Sequence, residues 1–164
     1  MKNRLYALMM TAMMLFVPFL GVAASNPSEL PDDTVIRFPD PNFEVMVRET
    51  IGKPTGDITA TDVAGIAKLN VSGLYINDLT GIEYFTALTE LDCRITELTA
   101  LDMSQNPLLK ALYCDESDLT TLNVSQNPAL EVLTCSHIYQ LAALDVSQNP
   151  ALIKLFCSDN QLTT

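Results

Sequence analysis

The sequence predicts a solenoid of the α/β type, in which short parallel strands from successive turns of chain form one face. Two periodicities support this prediction. Cysteine recurs at intervals of 21, 21 and 22 residues, at Cys93, Cys114, Cys135 and Cys157. The motif SQNP recurs at intervals of 21 and 22 residues, opening at Ser104, Ser125 and Ser147. A unit this short cannot bury its own apolar face, so each turn, here called a coil, must stack on its neighbours.

The first 24 residues are typical of a secretory signal peptide. Lys2 and Arg4 precede an almost purely apolar run, which closes with small residues up to Ala24. Cleavage there would leave Ser25 as the new N-terminus. An uncleaved membrane anchor is the alternative, because about 20 apolar residues can span a bilayer. The polar stretch that follows favours cleavage, and therefore a secreted or cell-surface protein without membrane insertion afterwards.

The charge balance excludes one class of partner. The chain has nine basic and 20 acidic residues, and two of the basic ones lie in the predicted signal peptide. A surface this acidic repels nucleic-acid phosphates and anionic lipid headgroups. No cluster of lysine or arginine counteracts the repulsion locally, so we expect no nucleic-acid partner.

Two segments are expected between the signal peptide and the repeats. Residues 25–34, rich in proline and aspartate, predict a flexible leader. Residues 35–65 predict an N-terminal cap, which begins with a short strand over residues 35–38. The cap would cover the apolar end of the first coil, which would otherwise face water.

The cap contains the signals of two helices. Asp40 followed by proline is a favourable helix start, with the aspartate as N-cap, and Gly52 supplies the C-terminal stop. A second short helix is expected to start at Thr59, because Asp62 lies three residues further on, and to end by Gly65.

Residues 66–164 predict a repeat array of four coils and a partial fifth, with little helix. Each coil opens with a leucine-rich segment in which alternate residues, such as Leu91 and Cys93, are expected to point inward. We expect this segment to form a short strand that pairs in parallel with the strand of the next coil, about 4.8 Å away. A second inward pair follows, as in Leu101 with Met103. The SQNP motif then turns the chain, and its amides are expected to bond the backbone of adjacent coils through Asn106, Asn127 and Asn149.

The repeats resemble a known family. The segments LTELDC, LNVSQNPAL and LDVSQNPAL resemble the leucine-rich repeats of bacterial surface proteins, particularly the internalin subgroup with one cysteine per 21-residue repeat. The segments FPDPNF and GDITATDVAGIAKLNVSG are similar to the cap and first repeat of such domains. The resemblance covers approximately residues 35–164. It implies a curved leucine-rich repeat solenoid outside the cell that binds a macromolecule through its concave face.

The four cysteines allow two interpretations. An exported chain with four cysteines ordinarily suggests two disulfides, and neighbouring strands lie within the roughly 4.4–6.8 Å reach of a bridge. Because every cysteine occupies the same inward position, a buried ladder of free thiols is the simpler interpretation. Zinc is disfavoured, since the outer sulfurs would lie about 14 Å apart. We therefore expect no metal or cofactor.

No catalytic constellation is visible, so we predict no enzymatic activity. The single histidine, His137, lies in a coil with one extra residue, which suggests a surface bulge. A catalytic triad could be assembled by residue type from Ser136, His137 and Asp115. Nothing in the sequence orders them as nucleophile, base and orienting group, so we do not predict one. A polar row could in principle hold calcium, but a solvated row is the better interpretation of Asp102, Asn123 and Asp145.

The candidate binding face comprises the outward strand positions, which differ sharply between coils while the SQNP side is nearly constant. Tyr113 and Phe156 would be aromatic anchors for a protein or sugar, although isolated exposed aromatics are common. One predicted row is Asn70, Asp92, Tyr113, Thr134 and Phe156. Its neighbour is Lys68, Glu90, Ala111, Val132 and Lys154.

These observations predict an adhesin-like module that binds a protein or glycan at a cell surface. The alternative is a structural or truncated fragment of a longer surface protein, without a ligand of its own. The sequence stops in mid-coil at Thr164 without a second cap. This ending predicts further repeats, self-association through the exposed edge, or fraying.

Overall fold

The computed structural model describes residues 34–163 of the chain. The predicted signal peptide, nearly all of the predicted leader and Thr164 lie outside the described residues. Two helices, α1 (Pro41–Ile51) and α2 (Ala60–Val63), precede the strands. The strands are β1 (Lys68–Asn70), β2 (Glu90–Asp92), β3 (Ala111–Tyr113), β4 (Val132–Thr134) and β5 (Lys154–Phe156). A 3-10 turn, Ile82–Tyr84, lies in the first coil.

The five strands form one parallel sheet in chain order. Each pairs with the next so that equivalent residues of successive coils lie side by side. The 22-residue intervals therefore place their extra residues outside the strands, since the register is unchanged. The predicted fold class, a parallel-strand leucine-rich repeat solenoid with little helix, is confirmed.

The core is a stack of side chains that point inward from the strands. The central leucines of β2, β3 and β4 are fully buried, whereas Leu155 of β5 is 40% exposed because no described coil stacks on it. The predicted second inward pair is also found, with Met103 and Val124 buried. Neighbouring coils thus supply the apolar contacts that no coil can make alone.

The SQNP asparagines link successive coils, as predicted. The Asn127 amide Nδ2 donates to the carbonyls of Met103 and Asn106, at 2.9 and 3.0 Å. Asn106 and Asn149 donate to equivalent carbonyls one coil earlier. All three side chains are buried. These carbonyls already accept a backbone N–H within their own turn, as Met103 O does from Asn106 N, so the asparagine amides add a second donor that comes from the next coil.

The cap packs onto the first coil through α1. The Asp40 carboxylate accepts hydrogen bonds from Asn42 N and Phe43 N, and Gly52 ends the helix in a left-handed conformation with φ of 66°. Phe43 is buried and stacks on Phe85 of the first coil, with ring centroids 6.3 Å apart. The predicted helix start and stop are thus confirmed.

The predicted strand over residues 35–38 is wrong in extent. Val35 and Thr59 form a single antiparallel bridge, flanked by a hydrogen bond from Ile36 N to Ile58 O of 2.8 Å. The ladder cannot lengthen because its partner segment enters α2 at Ala60. On the other side, the chain turns at residue 39 towards α1.

Helix α2 begins where the sequence predicts. The Asp62 carboxylate accepts from Thr59 N at 2.8 Å and forms an ion pair with Lys53 Nζ at 2.7 Å.

Within residues 34–163, no helix has the length and apolar character required to cross a membrane.

Candidate ligand-binding face

The outward side chains of the sheet form the strand face. Because every strand pairs in equivalent register, the predicted residues lie in two rows across the five coils. The first row is Lys68, Glu90, Ala111, Val132 and Lys154. The second row is Asn70, Asp92, Tyr113, Thr134 and Phe156.

A third row completes the strand face and was not predicted. It consists of Ser72, Arg94, Asp115, Ser136 and Ser158, one residue beyond each inward cysteine or valine. Backbone bonds continue the pairing here, as from Ile95 N to Asp115 O at 3.0 Å. The signal for this row was the same alternation, since the residue after an inward side chain must point outward.

Charges on the strand face are largely paired internally. Lys68 Nζ lies 2.6 Å from Glu90, and Arg94 Nη2 lies 2.6 Å from Asp92. The hydrogen bond to Glu90 raises the pKa of Lys68. These contacts neutralise cations that a ligand would otherwise meet.

An arginine and a tyrosine form the most organised cluster on this face. The Arg94 guanidinium donates two hydrogen bonds to the Asp92 carboxylate, from Nε at 2.9 Å and from Nη2 at 2.6 Å. These bonds lower the pKa of the Asp92 carboxyl. The same guanidinium lies 5.6 Å from the ring centroid of Tyr113. Tyr113 was predicted to face solvent as an aromatic anchor, but it is half-buried, with Arg94 over its ring. Phe156, by contrast, is exposed.

Asp115 organises the neighbouring coil. Its carboxylate accepts from the Thr134 hydroxyl and from Ser136 N, the latter at 2.8 Å. His137 Nε2 instead lies 3.3 Å from Asp159. Asp115, Ser136 and His137 are therefore near one another without the order of a catalytic triad.

His137 is not the bulge that the sequence suggests. It occupies a left-handed position, with φ of 59°, that recurs in the other coils at Ile95, Glu116 and Asp159. The extra residue falls later, in the turn at Tyr139 and Gln140. The insertion lies there because the strand pairing on both sides keeps the histidine in register.

The four cysteines are free thiols at equivalent inward positions. Cys93 and Cys114 donate to the carbonyls of Tyr113 and Thr134, each at 3.3 Å. Burial raises the pKa of Cys93 and Cys135 to about 12 and that of Cys114 well above 9.0. These three thiols are buried, whereas Cys157 is half-exposed. Burial and protonation make the inner thiols poor nucleophiles.

The polar row on the other side of each coil has a structural role. The Oδ1 atoms of Asp102, Asn123 and Asp145 each accept from the backbone N–H two residues ahead, at 2.9, 3.0 and 2.8 Å. These bonds start the SQNP turns. Residues 34–163 contain no group of three or more histidine, cysteine or acidic side chains arranged to hold a metal ion.

Known relatives agree with this architecture. Internalin J of Listeria monocytogenes serotype 4b is 40% identical over 70 residues, which is 42% of this chain. That match spans only 8% of the relative. The solved functional domain of InlJ from Listeria monocytogenes, which includes a cysteine ladder, is 41% identical, with a TM-score of 0.73. The superposition covers 77% of this chain and 28% of that chain.

A second solved structure shares the fold alone. An internalin, InlF, from the same species is 20% identical, with a TM-score of 0.65 over 77% of this chain and 45% of that one. A family model that describes the leucine-rich repeat domain of endo-β-N-acetylglucosaminidase EndoS matches residues 38–160. The chain therefore belongs to this leucine-rich repeat family and is internalin-like in its repeats.

Proposed function

We propose that this protein is an exported recognition module that binds a protein or glycan at a cell surface through its strand face, in the manner of an adhesin. Its family supports the general role, since an internalin-like leucine-rich repeat domain fits a surface protein-interaction module. The observation that carries the proposal is the equivalent register of five strands, which gathers side chains that differ between coils onto one rigid surface.

Variation between coils is confined to one side. The SQNP motif and its buried asparagine recur in three coils, and that side serves as scaffold. The strand face changes from charged to aromatic to aliphatic residues. A purely structural array does not require such variation, whereas a surface that recognises one partner does.

The strand face is also preorganised. The Asp92–Arg94 fork and the Asp115–Thr134 hydrogen bond hold polar side chains in place before a ligand arrives. A ligand then loses less affinity to side-chain ordering. The face spans about 300 Å², from five strands about 4.8 Å apart, and a standard interface takes about 800 Å² per partner. A protein partner would therefore also contact the flanking turns.

Export is compatible with free cysteines in this proposal. The predicted signal peptide would deliver the chain to an oxidising compartment, where accessible thiols form disulfides. Burial and raised pKa values protect Cys93, Cys114 and Cys135 from that chemistry. The thiols would then act as a packed ladder, comparable to the cysteine ladder of the InlJ domain.

The proposal is tested by affinity capture from host and bacterial surface extracts. The wild-type chain is compared with a Tyr113→Ala, Phe156→Ala double variant, whose fold is verified by circular dichroism. Tyr139→Ala, which removes an exposed tyrosine outside the three rows, is the matched control. We expect one partner that the wild type and the control retain and the double variant loses.

Two outcomes would contradict the proposal. A partner that the double variant captures equally well would place the site elsewhere. If no form captures a partner, the alternative of a structural fragment without its own ligand is favoured.

A further inference from the structure

A row of turn residues runs beside the strand face, immediately after its third row. Its members adopt a left-handed backbone in every coil, with φ values between 52° and 59° at Tyr75, Ile95, Glu116, His137 and Asp159. Glycine, asparagine and aspartate tolerate this conformation best, and β-branched residues tolerate it worst. Ile95 is therefore the residue that this backbone favours least.

The first two members of the row are exposed and apolar. Tyr75 is 74% exposed and Ile95 is 59% exposed, and the adjoining Leu74 is 42% exposed. Two backbone hydrogen bonds hold the coils of Tyr75 and Ile95 side by side. Gly73 N donates to Arg94 O just before these residues, and Glu97 N donates to Ile76 O just after them, both at 3.0 Å. We call Leu74, Tyr75 and Ile95 the turn patch. Neither core packing nor backbone preference explains these side chains.

The backbone of the turn patch is rigidly held by the cap. The Asn42 side chain donates to Tyr75 O at 3.2 Å, and Asn77 N donates to the buried Asp40 carboxylate at 2.8 Å. The patch is thus anchored on one side by α1 and on the other by the second coil. A surface fixed in this way needs little ordering on binding.

The charges around the turn patch are negative and unpaired. Glu116 follows Ile95 in the same row, and the bridge between Thr96 and Ser117 places Glu97 beside Asp118. All three carboxylate residues are exposed, and none takes part in an ion pair among residues 34–163. The strand face differs, because its cations are paired there, Lys68 with Glu90 and Arg94 with Asp92.

We propose that the turn patch, with Glu97, Glu116 and Asp118, docks a segment of a protein partner that combines lysine or arginine with apolar side chains. The apolar residues supply the contact area, and the carboxylates select the cationic segment by charge complementarity. Neutral glycans lack the complementary charge, and anionic lipid is repelled. The proposal does not rest on the strand face, because different residues form the two surfaces.

The test is selection of 12-residue peptides from a random display library on the purified full chain. A Tyr75→Asn, Ile95→Asn variant serves as the comparison. Asparagine suits the left-handed backbone, so this variant should melt at or above the wild-type temperature. We expect peptides that combine basic and apolar residues, and we expect synthetic copies to bind the variant at least tenfold more weakly.

Two further variants separate the contributions. Glu97→Gln, Glu116→Gln and Asp118→Asn together should weaken binding about tenfold and reduce its dependence on salt, because the charge attraction is lost. Ile153→Asn replaces an isoleucine that is 77% exposed and lies outside the turn patch. This control should bind like the wild type.

Several outcomes would overturn the inference. They include enrichment of acidic or neutral peptides, no enrichment over the Tyr75→Asn, Ile95→Asn variant, and equal affinity for both forms. Self-association of the wild type that disappears in this variant would identify a second copy of the chain as the occupant instead.

Discussion

At the scale of single residues, Asn127 shows how one amide joins two coils. Its side chain is buried and donates to two carbonyls of the preceding coil, those of Met103, just before the SQNP turn, and of Asn106 within it. An aspartate of similar shape has no N–H to donate at this position. The identity of the residue is therefore dictated by the two acceptors that it satisfies.

We predict that Asn127→Ala lowers the free energy of unfolding by about 2 kcal/mol, because the two buried hydrogen bonds from its amide to the preceding coil are lost. The measurement is urea denaturation followed by circular dichroism. Gln126→Ala is the matched control, since this exposed neighbouring amide makes only a 3.5 Å contact with Ser125. Its effect should stay within about 0.5 kcal/mol. Equal effects of the two substitutions would contradict the structural role of the asparagine.

At the scale of elements, Asp40 connects α1 to the first coil. One carboxylate oxygen caps the helix through Asn42 N and Phe43 N, and the other accepts from Asn77 N. Burial alone would raise the pKa of Asp40, but the backbone hydrogen bonds outweigh it and lower the pKa below 3.8. The ionised carboxylate therefore stabilises the folded state.

We predict that Asp40→Asn lowers the free energy of unfolding by about 1–2 kcal/mol at pH 7, because the amide oxygen can still cap α1 but the amide NH2 cannot accept from Asn77 N. A lowered folded-state pKa means that the stabilisation is present above pH 3.8 and is lost as the pH falls through the folded-state value. The difference between variant and wild type, measured by urea denaturation from pH 7 to pH 2, should therefore shrink below pH 3.8.

The control for this prediction is Asp57→Asn. Asp57 is exposed and lies 3.6 Å from exposed Arg37, so its loss should have little effect at any pH. A constant difference between Asp40→Asn and wild type across the pH range would show that the charge of Asp40 does not contribute.

At the scale of the whole molecule, stability comes from coil stacking. The inward leucines of β2, β3 and β4 pack between the leucines of two neighbouring strands, whereas Leu155 of β5 has a neighbouring strand on one side only, so burial depends on position in the array. Leu112 is fully buried, whereas Leu155 is 40% exposed although it occupies the equivalent position. Identical substitutions should thus have unequal costs.

We predict that Leu112→Ala costs about 2–5 kcal/mol, as expected for a cavity in a packed core. Leu155→Ala should cost roughly 1 kcal/mol, because part of this side chain already contacts water. Urea denaturation of both variants under one set of conditions measures the difference, and each variant is the control for the other. Similar costs would show that Leu155 is buried in solution.

Much of the architecture was predictable because its signals are local and repeated. The spacing of Cys93, Cys114 and Cys135 predicted the register, and the alternation around each leucine predicted which side chains share the strand face. The Asp40 cap was likewise visible in the sequence. The strand predicted over residues 35–38 was too long, because the length of the pairing at Val35 depends on where the partner segment enters α2.

The sequence by itself determined the period, the inward residues, the helix start and the two predicted rows, since each follows from residue type and spacing along the chain. Only the tertiary structure decided the partners of those residues. Arg94 covering Tyr113, Asp40 bonding Asn77, and Tyr75 standing beside Ile95 each join residues of different coils or of the cap and a coil. Such contacts depend on side-chain rotamers and on stacking in three dimensions, which periodicity does not specify.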